Sequence, residues 1–160
     1  MITTTDYAIT HPLLSWDIIG WTCQLQDTTI NKLIQLGKKN NWQSIETIIN
    51  AYNQDDYAVV ITCHKQEIAY VNLAFEKMTQ YAYKEVTGMR PGFLQRKDVT
   101  NIQANYHIGT HIKQGKEAKS KLVNYKKDGT KYLCEIHIIP IKNTQGAVVH
   151  FLALEKEIAA

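Results

Sequence analysis

The sequence predicts an α+β fold: a five-stranded antiparallel sheet with short helices on one face, preceded by a helical extension. Three observations carry that prediction. From residue 55 onward the chain reads as two strands, several short helical stretches and three more strands. Helices grouped between runs of strands imply an antiparallel sheet covered on one side. Between the last three strands stand Lys127-Asp128-Gly129 and Asn143-Thr144-Gln145-Gly146, whose glycines supply the positive φ of hairpin turns. Residues 1–54 show helical rather than alternating spacing, so the chain divides into an N-terminal helical arm, 1–54, and a domain, 55–160.

In the arm, Ile30, Leu33 and Ile34 recur at helical spacing until Gly37-Lys38-Lys39-Asn40-Asn41 interrupts them. That is a helix end, with cations near the negative end of the dipole. Asn41 is placed to cap a second helix whose Trp42, Ile45, Ile48, Ile49 and Tyr52 form one apolar stripe. Upstream, Pro12 to Trp16 and Ile18 to Trp21 are apolar but aperiodic, the texture of a segment that covers another surface.

In the domain, Tyr57 to Thr62 reads as a buried strand, and the polar turn Cys63 to Gln66 leads into a second strand, Glu67 to Val71. Leu73 to Tyr81 is helical with Phe75, Met78 and Tyr81 on one side, and Tyr83 to Val86 adds a further turn, stopped by Gly88. Val99 to Lys113 is a longer helix whose apolar positions are Ile102, Tyr106, Ile108 and Ile112. Strands at about 119–126, 131–141 and 147–156 follow.

Composition narrows the function. Hydrophobic residues make up 44% and charged residues 21%, ordinary globular usage. The net charge of +3, from 18 basic and 15 acidic residues, is too dispersed to suggest a nucleic-acid surface. Cys23, Cys63 and Cys134 form no CxxC pair, and His64 and His137 complete no zinc spacing, so reduced thiols in a cytoplasmic protein are expected. No apolar run is long enough to span a bilayer, and no membrane partner is expected. Asp55-Asp56 and the other carboxylates show no acid/base spacing, and no Ser or Cys sits in a nucleophile elbow, so no enzyme is expected.

Four ordered motifs carry a family resemblance. Ile68 to Tyr81 resembles the PAS signature I-x-Y-V-N-x-A-F-x-x-M-T-G-Y, and Gly88-Met89-Arg90-Pro91-Gly92-Phe93-Leu94-Gln95 is similar to the LOV motif G-R-N-C-R-F-L-Q. Val123 to Thr130 resembles L-N-Y-R-K-D-G-T, and Gly146, Val148 and Phe151 match the family's last strand. The resemblance is to PAS domains, in particular the flavin-binding LOV branch, and it implies the PAS fold. It also implies that Pro91 stands where LOV proteins carry the cysteine that forms a light-driven flavin adduct, so that photochemistry is not expected. Gln95 and Asn124 match two of the family's flavin-holding amides, while Cys134 and Glu155 take the places of two others. The positions of the phosphate-pairing arginines fall on Gly92 and Gly109. The resemblance therefore gives Gln95, Asn124, Cys134 and Glu155 as pocket positions.

The residues themselves leave alternatives open. Gln95 and Asn124 can instead satisfy buried backbone groups, and Cys134 can be a small core hydrophobe. If Asn124 faces the interior, strand pairing puts Cys134 and Glu155 there too, and Glu155 then titrates upward or finds a cation. Otherwise the strand end frays and Glu155 is solvated. His107 and His111 share a helix face and are candidate haem ligands. The expectation is a pocket without cofactor; flavin is the alternative, then haem.

On the last strand Val148, Leu152 and Leu154 alternate with Val149, Phe151 and Ala153, so both faces are apolar. The face away from the helices, with Val123, Tyr125, Leu133 and Ile139, would be an exposed apolar sheet. The arm's Trp16, Trp21, Ile45 and Ile49 would cover that sheet or lie between two sheets in a homodimer. The whole reads as a non-enzymatic sensory or interaction module in signal transduction. No effector segment follows the last strand, so output is expected through self-association or a separate signalling protein.

Overall fold

The opening strands Ala58–Cys63 (β1) and Ile68–Val71 (β2) form a hairpin, and β1 also pairs antiparallel with the last strand, Val148–Ile158 (β5). In this computed structural model residues 31–43, 46, 48, 50, 57–96 and 99–159 are described. With Ala118–Tyr125 (β3) and Lys131–Lys142 (β4), the strands make one antiparallel sheet in the order β2-β1-β5-β4-β3. The expected five-stranded sheet is therefore present. Its central strands β1 and β5 are apolar on both faces because each lies between two neighbours and two layers.

Helices fill the connection between β2 and β3: Leu73–Thr79, Tyr83–Val86 and Ile102–Lys113, with 3₁₀ turns at Pro91–Gln95 and Val99–Asn101. Counting the arm helix at 31–39 as α1, these three helices are α2, α3 and α4. Asn72 fixes the first of them to the sheet. Its Oδ1 accepts from Phe75 N–H at 3.0 Å, as an N-cap should, and from Val59 N–H at 2.9 Å, while Nδ2 donates to the Tyr57 carbonyl at 3.1 Å. One side chain thus holds the start of α2 against β1.

The long helix begins later than its spacing suggests, and its apolar face is different. Ile102 and Tyr106 are 67% and 78% exposed, whereas Ala104, Ile108 and Ile112 pack on the core. Residues four apart share a helix face, and Ile102 and Tyr106 lie two positions, about 200°, away from that stripe.

Two clusters form the core, one on each sheet face. The inner one joins Val60, Ile68, Phe75, Val86, Leu94, Ile108 and Leu122 with Ile136, Ile138 and Phe151, beneath α2 to α4. The outer one joins Leu33, Trp42 and Ile48 of the arm to Val59, Ile61, Tyr70, Ile141 and Leu152. The described part of the arm therefore covers its own sheet. Trp16, Trp21, Ile45 and Ile49 lie outside the described residues.

Trp42 forms an isolated β-bridge with Asn143 and donates its indole N–H to His150 Nδ1 at 3.2 Å. Gln43 N–H donates to the Lys142 carbonyl at 3.0 Å, and Thr144 N–H donates to the Asn41 carbonyl at 2.9 Å. Asn41 consequently takes a left-handed φ of 52° in a turn and does not cap a helix, and Trp42 belongs to the bridge. The expected helix remains at the described positions 46, 48 and 50.

A shift in register between Ile141 and Lys142 also changes the reading of β5. Val148 packs with the inner cluster beside Phe151, and Val149 with the outer one beside Leu152, because a bulge reverses strand parity. Among the described residues, no helix is long and apolar enough to cross a membrane.

Candidate functional site

Between α4, the Pro91–Gln95 turn and the inner sheet face lies a cavity of about 350 Å³. Val60, Leu122, Ile136, Ile138, Phe151 and Ala153 form its apolar sheet wall, and Ile108 and Ile112 of α4 face them. Polar groups on the wall are Thr62, Gln66, Arg90, Gln95, Asn105 and Glu155. Their placement follows from strand alternation: Phe151, Ala153 and Glu155 point inward on β5, as Leu122 and Ile136 do on β3 and β4.

Glu155 corrects one expectation. The strand does not fray there: β5 runs to Ile158, which pairs with Leu133, so Glu155 lies between Ala58 of β1 and Ile136 of β4. It is 2% exposed. Desolvation pushes its carboxyl up to about 7, opposed weakly by the Cys134 thiol, which donates to Oε2 at 3.9 Å. That thiol is its one hydrogen-bond partner among the described residues.

Cys134 is completely buried, and burial together with the Glu155 carboxylate raises its thiol pKa strongly. A thiol held protonated in this way is a packing group and no nucleophile. Asn124 is also buried on the inner face. Its Nδ2 reaches the Tyr132 hydroxyl at 3.5 Å, and its Oδ1 has no hydrogen-bond partner among the described residues. Tyr132 is buried as well, its phenol raised by desolvation and then by Glu155. Asn124, Tyr132, Cys134 and Glu155 thus form one polar cluster on the inner face, of which Glu155 lines the cavity.

Gln95 lines the cavity too, and its Oε1 accepts from Asn105 Nδ2 at 2.7 Å. Among the described residues, neither Gln95 nor Asn124 satisfies a backbone group. Asn101 does so instead: its Oδ1 accepts from Val123 N–H and its Nδ2 donates to the Val123 carbonyl, both at 2.8 Å. Asn101 is 1% exposed and closes the outer edge of β3 at that point. Sequence reading missed Asn101, Asn105 and Tyr132, because none repeats at a spacing that announces its partner.

His107 and His111 stack at 4.2 Å, and His111 Nδ1–H donates to the His107 carbonyl at 2.9 Å. Neither lines the cavity; α4 turns Asn105, Ile108, Gly109 and Ile112 toward it instead. The haem expectation loses its ligand geometry with them. Pro91, Gly92 and Gly109 all line the cavity, and a Cβ at Gly92 or Gly109 would meet no heavy atom within 4 Å. Among the described residues, no three His, Cys, Asp or Glu side chains converge as metal ligands.

The family described as PAS domain matches residues 56–160. Over 120 residues the chain is 32% identical to a blue-light photoreceptor of Listeria monocytogenes, covering 73% of this chain and 47% of that protein. It spans about half the length of that relative. The fold superposes on the Rhodobacter sphaeroides LOV protein with a TM-score of 0.64 at 25% identity, covering 73% of this chain and 68% of that one. It superposes equally, at a TM-score of 0.64 and 26% identity, on the PAS domain of the fruit-fly ELK potassium channel, covering 72% and 98%.

Proposed function

The chain belongs to the PAS domain family, and from that premise we propose that it is a non-enzymatic sensory module in signal transduction whose cavity takes a small planar ligand. The cavity carries this reading. Its volume of about 350 Å³ suits a small molecule, and its walls are apolar with few convergent polar groups. Glu155 lies buried on that wall with only a weak thiol donor. A core with no ligand to accommodate gains nothing from an unpaired buried carboxyl. The test is mass spectrometry and visible absorption of what copurifies with the full chain. A bound small molecule is expected. A protein that is ligand-free, and stays so after incubation with riboflavin, FMN and haemin, would sink the reading.

A flavin is the second reading, favoured by the Gln95 side-chain N–H₂ on the wall and by the unpartnered Asn124 Oδ1. Amides and a protonated Glu155 offer the mixed donors and acceptors that an isoalloxazine edge takes. A bound flavin would supply visible-light absorption and electron transfer. The phosphate end fits less well: Arg90 is the one cation on the described wall, and Gly92 and Gly109 add none. The residues therefore fit the ring better than a ribityl phosphate, and riboflavin should bind nearly as well as FMN.

Residues 55–160 are the sensory domain in this reading, and the arm at 1–54 acts as its cover. Output passes through the outer sheet face, where Val123, Leu133, Ile139 and Leu154 are half-buried, to a second copy or a separate signalling protein. Light scattering across concentrations tests self-association; a monomer throughout would assign the face to a separate partner.

A further inference from the structure

We infer that the ligand of this cavity presents a donor-only, amidine-like edge to Glu155, and that Glu155 selects it against ligands whose edge carries acceptors. This rests on the reading of the cavity as a ligand site, and it names the chemistry of that ligand.

Glu155 lines the cavity at 2% exposure, and among the described residues its carboxyl receives only the Cys134 thiol, at 3.9 Å. A carboxylate accepts and never donates, with room for about four hydrogen bonds. The neighbours along its wall, Ile136, Phe151 and Ala153, have no side-chain donor to give. Asn124 Oδ1, on the same sheet face, is a second buried acceptor with no donor among the described residues. The inner face is thus short of donors at two points. Two parallel N–H groups on a planar cation satisfy both carboxylate oxygens at once, in the geometry that makes such pairs strong. Once Glu155 is ionised, a ligand carbonyl or carboxylate in the same place would face its lone pairs.

Protonation sharpens the choice. Burial holds the Glu155 carboxyl up to about 7, so a donor-only cation has to draw off its proton. Among the described residues, the titratable or charged groups around it are Cys134 on β4, which donates to it, Tyr132, whose phenol is raised by desolvation and then by its charge, and Arg90, which lines the same cavity. On β1 its neighbours are Ala58 and Val60, which do not titrate. None of these groups supplies a compensating charge at the carboxyl.

The experiment uses three nearly isosteric probes with the full chain: benzamidine, benzamide and benzoate, followed by NMR chemical-shift titration. At pH 8 benzamidine is expected to bind at least about tenfold more tightly than the other two. Its affinity should fall about tenfold from pH 8 to pH 6 as Glu155 protonates. Glu155→Gln should abolish the preference and the pH dependence together, and Leu122→Trp, which fills the cavity, should abolish binding of all three. The pH series on the unaltered chain reads the same linkage if a variant does not fold. Equal binding of the three probes, or a benzamidine preference that survives in Glu155→Gln, overturns the inference and leaves the cavity reading standing. No binding of any probe at millimolar concentration overturns both.

Discussion

Replacing Glu155 by Gln should change how stability depends on pH, and the structure sets the size of the effect. The carboxyl is fully buried and its pKa is raised from 4.5 to about 7 by desolvation. An acid raised in the folded state keeps its proton there while the unfolded chain has lost it. Between those two values the folded state binds one more proton, so stability falls as pH rises, by about 1.4 kcal/mol per pH unit. The contribution is fully present below 4.5 and lost as pH climbs through 7. Integrated, the loss is about 3 kcal/mol, of which about 2 kcal/mol falls between pH 5.5 and 8.5. Glutamine does not titrate and removes this component. Urea denaturation of both proteins across that range isolates it, because every other group cancels in the difference. The stability of Glu155→Gln relative to the natural chain should therefore rise by about 2 kcal/mol from pH 5.5 to 8.5. A difference that stays flat would mean that Glu155 is solvated in the folded state, and the account of the cavity wall would fail.

Asn101→Ala should cost about 2 to 3 kcal/mol, since it strips partners from both the N–H and the carbonyl of Val123; chemical denaturation measures it, and a loss under 0.5 kcal/mol would refute the edge-closing role. Trp42→Phe removes the donor to His150 while keeping an aromatic ring, and should cost about 1 kcal/mol by the same measurement. In the natural chain His150 is held below its ordinary value of 6.5, first by desolvation and then by His64. Stability should therefore also decline as pH falls below 6.5, because the unfolded chain takes up that proton first; a protein equally stable at pH 5 and 6.5 after correction for Glu155 would contradict it. Gly109→Arg should fold, since its Cβ meets open space and arginine favours a helix more than glycine does. In the flavin reading it should tighten FMN at least tenfold and leave riboflavin unchanged, as fluorescence titration would show; equal gains for both would refute a phosphate contact.

The sequence by itself determined the sheet, the hairpins and the order of the helices, because these follow from local periodicity and turn chemistry. Alternation along Lys131–Lys142 and the Asp128-Gly129 turn leave little choice of strand or register. By hairpin pairing it also put Asn124 and Cys134 on one face and suggested Glu155 there by parity, since side chains on a strand alternate where no bulge intervenes. What it could not decide was depth. Whether Glu155 is solvated or buried depends on β1 and β4 flanking it, and those contacts join residues about a hundred positions apart in one case. Trp42 and His150 lie 108 positions apart, and Asn101 and Val123 lie 22 apart, both beyond the reach of local periodicity. On α4, spacing allowed more than one apolar stripe, and only the cavity and sheet beneath it selected Ala104, Ile108 and Ile112 over Ile102 and Tyr106. Burial is a property of the assembled layers, and no single segment carries it.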